Sequence, residues 1–399
     1  MEGMEYRKNY NSWTFLYKLS YDIVKFHNRV YTDLSLVDFS KKLQNHLEFL
    51  STIQANLIRQ CPNIAYSTCR TLTDFFEILK LPVNTWVSGL PKDPFFHSPL
   101  WVGENIQGVN RNFLIGRPSN LARNLASEFN LIESDGEQVR VKEVRNQLRQ
   151  DGSLESQLNY VLFRKFLIEN PITPSNGRDF KEIAYKIGIK QNDFYERIPS
   201  FQVFKGKFLQ CSNCKWPMDL SRTYKTWECS NYWCKTKIAS FKWDNDPFDL
   251  LIHEKHESPV KKDSVDYLRL KEDIWRFTTV PGLAEVELYT WLRKNWKYTT
   301  ELWPDFDKYD LRINFSSSKA QKPLLVDLKC WIHPPQLEAK LLQEYQSEES
   351  CDIAEELNKV IIVVPDQQKL YIKSMRENVP FYEFMTIREF KHDLNRRKE

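Results

Sequence analysis

The sequence has little glycine, few cysteines and no long apolar run, and each shortage excludes a class of protein. Its 399 residues include only 11 glycines and 19 prolines, which argues against a disordered, collagen-like or linker-dominated chain. The longest uninterrupted apolar run, Val360 to Val364, is far shorter than the roughly 18 residues of a membrane span. The first residues also lack the apolar stretch of a secretory signal. We therefore expect a soluble, cytoplasmic protein without a membrane partner.

Eight cysteines are too few for a disulfide scaffold, but four of them form two close pairs. Two residues separate Cys211 from Cys214, and four separate Cys229 from Cys234. Pairs of this kind each place two thiolates on one tetrahedral ion, as in a zinc ribbon. Because all four ligands are cysteines, we expect a structural zinc and not a catalytic one. The alternative, four free buried thiols, does not explain the paired spacing.

The net charge of the chain is only +4, but basic and aromatic residues are interleaved around these cysteines. This composition is typical of surfaces that bind a nucleic-acid backbone or unstacked bases. Docking onto another protein is supported nearly as well. The basic candidates are Lys205, Lys207, Lys215, Arg222, Lys225, Lys235 and Lys237, and the aromatic candidates are Trp216, Tyr224, Trp227, Tyr232, Trp233 and Trp243.

The first half of the chain has the pattern of helices. Apolar residues recur at helical spacing in the first 60 residues, and prolines interrupt residues 62–120, so we predict an irregular α-rich region. A further helix is predicted over Gln157–Ile168. After it, Ala184 and Gly188 have the spacing of a helix-turn-helix. Many helix pairs share this spacing, so an ordinary helical hairpin is the preferred interpretation.

After Pro259 the pattern changes to alternating helices and strands, which predicts an α/β or α+β sandwich with a mixed sheet. The predicted elements are helix Pro281–Asn295, strand Tyr309–Phe315, strand Leu324–Trp331, helix Pro335–Tyr345 and strand Lys359–Val364, with a further strand at Trp296–Trp303, a helix at Asp366–Asn378, a short strand at Phe381–Met385 and a last helix from Thr386.

The length of the chain favours two or three domains, and we predict an α+β multidomain protein. The predicted parts are an α-rich N-terminal region (1–150), a helical segment with the helix-turn-helix alternative (151–204), a small zinc ribbon (205–245), a linker and helix (246–280) and a C-terminal α/β domain with a mixed sheet (281–399).

Two of the predicted C-terminal strands each carry an acid. Asp310 opens the first strand, and Asp327 and Lys329 share one face of the second, since side chains alternate along a strand. Buried charges are costly unless they have a partner or a function. Carboxylates bind Mg²⁺ and help orient a water for attack on a phosphodiester. We predict that Asp310, Asp327 and the carbonyl of Leu328 hold Mg²⁺ or Mn²⁺, while Lys329 orients the water or stabilises charge on the phosphate.

A third acid comes from the preceding helix. Glu285 lies on the apolar side of that helix, whereas Glu287 falls on another sector, so we predict that Glu285 points inward. A literal Pro-Asp pair at Asp305 lies at an acceptable distance from the second strand, but its surroundings predict a turn. We therefore assign the ligand to Asp310, with Asp305 rejected and Asp307 a weaker candidate.

In the order helix, strand, strand, the string Glu285, Asp310, Asp327-x-Lys329 resembles the PD-(D/E)xK restriction-endonuclease-like superfamily over roughly residues 280–399. The resemblance implies a restriction-endonuclease-like fold and Mg²⁺-dependent cleavage of DNA, with these four residues as the catalytic set. The alternative, a solvated strand edge with a surface salt bridge between Asp327 and Lys329, fits poorly with the apolar residues that surround Asp327.

A wider resemblance extends into the middle of the chain, through Phe163 to Pro171, Cys211-x-x-Cys214-Lys-Trp-Pro217 and Gly282-Leu-Ala-Glu285. Together these motifs resemble the endonuclease-type subunit encoded beside prokaryotic Piwi-related proteins and helicases in defence islands. The resemblance implies DNA cleavage in an antiviral or anti-plasmid system, with a Piwi-related protein or a helicase as partner.

Two other functions use the same features. The chain could be a non-catalytic nucleic-acid-binding adaptor that relies on its zinc ribbon and helical region. A transcription regulator built on residues 157–243 is a third interpretation, but it leaves the carboxylates unexplained. Spacing alone does not distinguish DNA from RNA as the substrate.

Overall fold

The computed structural model describes residues 14–27, 51, 54–55, 57, 71–87, 90, 94–103, 116–133, 139–221, 225–234, 241–251, 259–295, 299–315, 323–331, 334–347 and 360–396. The chain divides into two compact units, Met1–Gly136 with Asp219–His256 and Glu137–Met218 with Glu257–Glu399. Both contain helices and strands, and the predicted α+β multidomain class is confirmed. The finer five-part division stays a prediction.

The second unit holds most of the regular structure. Its helices are α1 (Val139–Asp151), α2 (Leu154–Glu169), α3 (Arg178–Ile187), α4 (Gln191–Phe194), α5 (Val280–Asn295), α6 (Pro334–Ser347), α7 (Ile372–Asn378) and α8 (Ile387–Arg396). Its strands are β1 (Ile172–Pro174), β2 (Tyr195–Arg197), β3 (Lys207–Gln210), β4 (Val260–Asp263), β5 (Tyr267–Leu270), β6 (Thr299–Leu302), β7 (Leu311–Asn314), β8 (Leu324–Leu328), β9 (Val360–Val364) and β10 (Glu383–Thr386). Glu272–Ile274 and the π-helical turn Trp275–Thr279 lead directly into α5.

A five-stranded sheet in the order β6-β7-β8-β9-β10 forms the centre of this unit. The pairs β6–β7 and β7–β8 are antiparallel, whereas β8–β9 and β9–β10 are parallel, so the predicted mixed sheet is confirmed. All five residues of β9 are buried, as expected of a parallel strand covered on both faces. Residues of α6 and α7 pack in one apolar cluster with residues of β8, β9 and β10. This packing fixes β8, the strand that carries Asp327.

Some boundaries differ from the predictions. Strand β7 begins at Leu311, one residue after Asp310, and β8 ends at Leu328, one residue before Lys329. Both side chains therefore lie at strand ends. The predicted helix at Asp366–Asn378 is a 3₁₀ segment, Asp366–Tyr371, followed by α7.

Helix α2 packs closely on α5 and on the π-helical turn. Its N-terminus is capped by Ser153, whose hydroxyl accepts a hydrogen bond from the Ser156 N–H, and such caps stabilise a helix by about 1 kcal/mol. The Thr279 hydroxyl donates to the Leu167 carbonyl over 3.1 Å. Gly282 is buried against Ile168. The sequence of α2 and the glycine of α5 thus bring the two backbones close together.

The helix-turn-helix alternative is not supported. Helix α3 ends at Gly188, whose φ of 71° is the left-handed conformation of a C-terminal cap. The next helix, α4, has only four residues and runs into β2. A single turn is too short to serve as a recognition helix in a DNA groove.

Part of the segment predicted as linker and helix (246–280) forms strands. Strand β4 pairs antiparallel with β3, and β5 lies between β1 and β2 in a three-stranded sheet. The partners of β4 and β5 lie 50 or more residues away along the chain. Local patterning does not reveal such pairing.

The first unit is α-rich but also contains sheets. Its longer helices are residues 14–27, Leu72–Leu79 and Asn120–Glu133. Its strands are Trp101–Gly103 and Gly116–Pro118, which form a hairpin, and Asp219–Ser221, Thr226–Glu228, Phe241–Trp243 and Leu250–Leu251, which form a four-stranded sheet. Arg117 and Arg123 both contact the buried Asp219. Over the described part of the chain, no helix combines the length and the apolar character needed to cross a membrane.

We expect Gly282→Ala to lower the free energy of unfolding by about 1–3 kcal/mol, because overpacking a buried contact has costs of this order. An added Cβ would lie 2.3 Å from Cδ1 of Ile168. Denaturant unfolding measures the change. In the double variant Gly282→Ala with Ile168→Ala, the added methyl should cost much less, since Cβ of Ile168 is 3.7 Å from it. If the loss of stability in the double variant equals the sum of the losses in the two single variants, this explanation is wrong.

Candidate functional site

The acids on neighbouring strands lie where β7 begins and where β8 ends. The Asp310 N–H donates to the Val326 carbonyl over 3.1 Å, which continues the β7–β8 pairing past the strand. The Leu328 N–H donates to Oδ2 of Asp310 over 2.6 Å. Nζ of Lys329 lies 2.8 Å from Oδ2 of Asp327, and both side chains are about a quarter exposed (26% and 24%). The structure therefore brings Asp310, Asp327 and Lys329 to one end of the sheet, partly open to solvent.

Glu285 lies on α5 and is only 2% exposed, whereas Glu287 is exposed. The predicted inward orientation of Glu285 is thus confirmed. Its carboxylate accepts hydrogen bonds from Nη2 of Arg164 at 2.8 and 3.1 Å and from Nε1 of Trp303. Glu285 is held by two donors that the sequence analysis did not assign to the site.

Arg164, on α2, is the residue that sequence reasoning missed. Its guanidinium is buried and pairs with Glu285 and with Asp307, and its Nη2 lies 3.9 Å from Oδ1 of Asp310. It also stacks over the Trp303 ring, with 4.6 Å between the guanidinium carbon and the ring centroid. An arginine in the midst of the apolar run Phe163 to Ile168 was the available signal, because an arginine is almost never fully buried unless paired.

The segment Trp303–Asp307 is an unusual turn. Trp303, Asp305, Phe306 and Asp307 all have positive φ, between 50° and 70°, a conformation that residues other than glycine rarely adopt. Gln157 of α2 holds this turn from both sides: its Nε2 donates to the Trp303 carbonyl over 2.9 Å, and its Oε1 accepts the Phe306 N–H over 2.7 Å. These contacts with α2 stabilise the strained backbone of the turn.

The two acids of this turn, Asp305 and Asp307, lie in different surroundings. Asp305 is 55% exposed and pairs with Arg312 on the surface, which agrees with its rejection as a ligand. Asp307 points inward, pairs with Arg164, and accepts a hydrogen bond from the Tyr160 hydroxyl over 3.0 Å. Asp307, the weaker candidate, thus belongs to the buried charge network.

The network contains more acidic than basic groups. Burial raises the pKa of Asp310 well above its ordinary value; the charges of Glu285 and Asp327 add to this, and Arg164 and Lys329 oppose it. Burial also raises the pKa of Glu285, against the influence of Arg164 and of the Trp303 hydrogen bond. Four carboxylates face two cations here. Ionisation of all of them leaves two negative charges without a partner in the network.

This charge balance suits a divalent cation. Asp310, Asp327 and the Leu328 carbonyl offer hard oxygen donors, which Mg²⁺ prefers. Among the described residues, the only group of three or more His, Cys, Asp and Glu ligand atoms within 4.8 Å of one another is a cysteine cluster. The acids therefore do not form a ready three-carboxylate cage. The fit rests on two carboxylates with one backbone carbonyl and on the excess negative charge.

The four predicted cysteines form that cluster: Cys211, Cys214, Cys229 and Cys234 are buried, and their Sγ atoms lie within 4.8 Å of one another. A tight turn shapes the first pair, since the Lys215 N–H donates to the Cys211 carbonyl over 3.0 Å. Four thiolates at this separation are the ligand set of a structural zinc site. The cluster fits the predicted zinc ribbon, and it could bind a structural zinc.

The aromatic residues around the cysteines are not all available to nucleic acid. Trp216 is buried and stacks on Trp275 with ring centroids 4.2 Å apart. Trp227 is buried and donates from Nε1 to the Pro247 carbonyl over 2.6 Å. The prediction that these two offer stacking faces was wrong, because large rings fill the core here. Tyr232, Trp233 and Trp243 are partly exposed, and Tyr224 lies outside the described residues.

The basic candidates fall into three groups. Lys205, Lys215 and Lys225 are exposed at turns with positive φ. Lys207 is partly exposed, with Nζ 3.7 Å from Asp263. Arg222, Lys235 and Lys237 lie outside the described residues.

Strand β4 adds two lysines that the sequence analysis overlooked, Lys261 and Lys262, which lie opposite Leu209 and Phe208 of β3. Burial and the nearby Lys215 lower the pKa of Lys262. Lys215 therefore lies close enough to Lys262 for the two positive charges to repel each other.

One family model matches the chain. It is described as REase associating with pPIWI_RE, and it covers residues 282–399. The match supports a restriction-endonuclease-like domain over residues 282–399 and links it to pPIWI defence systems. It confirms the resemblance inferred from the motifs within these residues, whereas the motifs at Phe163 to Pro171 and Cys211 to Pro217 lie outside the match. No curated protein and no solved structure matches the chain.

The restriction-endonuclease-like domain covers less than a third of the chain. It includes the four predicted catalytic residues, Glu285, Asp310, Asp327 and Lys329. It does not include Arg164, which contacts two of them, nor the cysteine cluster.

We expect Asp310→Asn to stabilise the metal-free protein at pH 7–8, because the substitution removes a buried carboxyl whose pKa is raised on folding. A carboxyl whose pKa is raised on folding favours the folded state below its unfolded pKa, and this stability is lost as pH rises through the folded pKa. Asparagine keeps an oxygen for the Leu328 N–H but carries no charge. Thermal unfolding in EDTA measures the effect.

The gain should shrink towards pH 3–4, where the carboxyl of the parent protein is neutral. Asp305→Asn, an exposed acid in the same segment, serves as the control and should change stability little. If Asp310→Asn is less stable than the parent at pH 8 in EDTA, then the ionised Asp310 carboxylate does not destabilise the folded protein, and this explanation is wrong.

Proposed function

We propose that the chain is a divalent-metal-dependent endonuclease that hydrolyses phosphodiester bonds of DNA within a prokaryotic defence system, together with a Piwi-related partner. The observation that carries this proposal is the placement of Asp310, Asp327 and Lys329 at one partly open end of the sheet in a restriction-endonuclease-like domain. The description of the matching family supports the association with a pPIWI protein.

In this proposal Asp310, Asp327 and the Leu328 carbonyl bind Mg²⁺ or Mn²⁺. A bound divalent ion supplies positive charge to the phosphate and lowers the pKa of an attacking water. The surplus of carboxylates over cations in the network supports the choice of a cation. The Leu328 N–H fixes the carboxylate of Asp310 and so aligns it with the neighbouring carbonyl.

Lys329 has the reach and exposure for a role at the phosphate. Its ammonium is paired with Asp327 at 2.8 Å and is a quarter exposed, so it is both oriented and accessible. A cation fixed beside a phosphate stabilises the negative charge that develops in the transition state. Glu285 is buried and doubly hydrogen-bonded, which suits a part in shaping the site from behind.

Exposed lysines support nucleic acid as the partner. Lys205, Lys207 and Lys215, with Lys261 and Lys262 of β4, give the second unit a basic surface near β3. Lysines of this kind bind phosphates without reading sequence. We assign backbone binding to this surface and leave target selection to the protein partner.

The central test is cleavage of plasmid DNA by the full-length chain, alone and with its Piwi-related partner, in Mg²⁺ or Mn²⁺ and in EDTA. We expect metal-dependent cleavage, and we expect Asp327→Ala and Lys329→Ala each to slow it by at least about 100-fold, the usual effect of removing a group that stabilises the transition state. Both residues are partly exposed, so both variants should stay folded.

The literal Pro-Asp pair supplies a matched control. Asp305→Ala removes a nearby but surface-exposed acid and should leave the cleavage rate unchanged. A parent protein that binds DNA but never cuts it, even with the partner present, would favour the adaptor function. Wild-type cleavage by Lys329→Ala would show that the site is misassigned.

We further propose that the cysteine cluster holds a structural zinc ion. Four buried sulfurs leave no position for a substrate or water, so this site plays no part in hydrolysis. The strands around the cysteines are short, three or four residues each, so a bound metal would stabilise a segment with little regular structure of its own.

We expect elemental analysis of the purified protein to find about one zinc ion per chain. Cys214→Ser should lose the zinc and lower the stability of the protein by several kcal/mol, since zinc binding contributes directly to folding. Cys330→Ser is the matched control, because this thiol lies outside the cluster and its loss should leave the zinc content unchanged. Full zinc content in Cys214→Ser would contradict the assignment.

A further inference from the structure

The candidate active site reaches beyond the restriction-endonuclease-like domain. We propose that Arg164, on helix α2, is a positioning residue of this site, which fixes Glu285, Asp307 and the Asp310 side chain relative to one another. The inference rests on the proposed nuclease function. It makes α2, about 115 residues before the domain begins, a part of the catalytic unit.

The guanidinium of Arg164 contacts three carboxylates at once. Nη2 donates to both oxygens of Glu285 and approaches Asp310, while Nη1 pairs with Asp307. One planar guanidinium thus joins Glu285 of α5, Asp307 of the Trp303–Asp307 turn and Asp310, the residue just before β7. Arginine suits this role because its donors have a fixed geometry.

A second set of contacts holds the Arg164 guanidinium and the neighbouring turn in place. The guanidinium stacks over Trp303, whose own Nε1 donates to Glu285. Gln157, two turns earlier on α2, binds the backbone of the same turn at Trp303 and Phe306. Helix α2 therefore acts in two ways: Arg164 pairs with the carboxylates, and Gln157 holds the backbone of the turn that contains Asp307 and precedes Asp310.

Burial excludes a direct contact between Arg164 and nucleic acid. Its side chain is only 8% exposed, so it acts on the reaction through Glu285 and Asp310. A loss of alignment should therefore slow the chemical step and leave the affinity for DNA unchanged. Misplacement of reacting groups by about 1 Å can cost 100-fold in rate.

The competing explanation is that Arg164 is only a buried ion pair that stabilises the fold. The second unit contains a matched arginine for comparison. Arg269 is equally buried, donates to Glu196 and Gln202, and stacks over Trp216 at 5.0 Å. Arg269 is not among the residues that contact Glu285 or Asp310 in the described structure.

The experiment compares Arg164→Lys with Arg269→Lys in the full-length chain. Both changes keep the charge and remove the planar guanidinium. We expect Arg164→Lys to lower the maximal cleavage rate by about 10–100-fold with KM for DNA unchanged, and Arg269→Lys to leave the rate within about twofold of wild type. Arg164→Met should lose more, and circular dichroism should show that each variant tested is folded.

A second readout does not depend on cleavage. The indole N–H signal of Trp303, assigned by its absence in Trp303→Phe, reports the hydrogen bond to Glu285 in an NMR spectrum. It should shift in Arg164→Lys and stay in place in Arg269→Lys. Failure of wild type to cut DNA would refute the nuclease function, while the Trp303 signal would still report whether Arg164 fixes Glu285.

Two results would overturn the inference. A wild-type cleavage rate in Arg164→Lys with an unmoved Trp303 signal would mean that Arg164 does not position the site. Equal loss of cleavage in Arg164→Lys and Arg269→Lys, with both folded, would mean that the effect is one of general stability.

Discussion

The interaction on which this structure depends is one buried guanidinium shared among several carboxylates. Glu285 and Asp310 are buried at the end of a sheet, where an ionised carboxylate is costly without a partner. Arg164 offsets part of this cost, and Lys329 offsets more through Asp327. Two negative charges are left over when every carboxylate is ionised. A surplus of carboxylates suits a divalent cation. Burial, with the charges of Glu285 and Asp327 adding to it, raises the pKa of Asp310.

The rest of the fold serves to hold these charges. The buried strand β9 and its cover of helices fix β8 and so the position of Asp327. Gly282 lets α5 approach α2 closely enough for Glu285 to meet Arg164. Gln157 supports a turn in which four residues have positive φ. Local strain near Asp310 is thus supported by packing on α2, and this is the kind of arrangement expected at functional sites.

Sequence alone predicted the parts of the site that depend on the periodicity of a single strand or helix. Alternation along a strand placed Asp327 and Lys329 on one face, and the helical wheel turned Glu285 inward. Spacing identified the cysteines. It missed Arg164, because a contact between residues 121 positions apart leaves no periodic trace. It also misjudged Trp216 and Trp227, because composition does not distinguish a ring in a small core from one on a surface. Strands β4 and β5 were missed for the same reason as Arg164, since their partners are distant in sequence.

The most direct test of this account is to locate the metal. Crystals of the full-length protein soaked in Mn²⁺ can be examined for anomalous scattering, which identifies manganese by position. The account predicts a peak bound by carboxylate oxygens of Asp310 and Asp327, beside the Leu328 carbonyl and within reach of Lys329. No peak there at saturating Mn²⁺, or a peak coordinated only by surface acids such as Asp305, would contradict it.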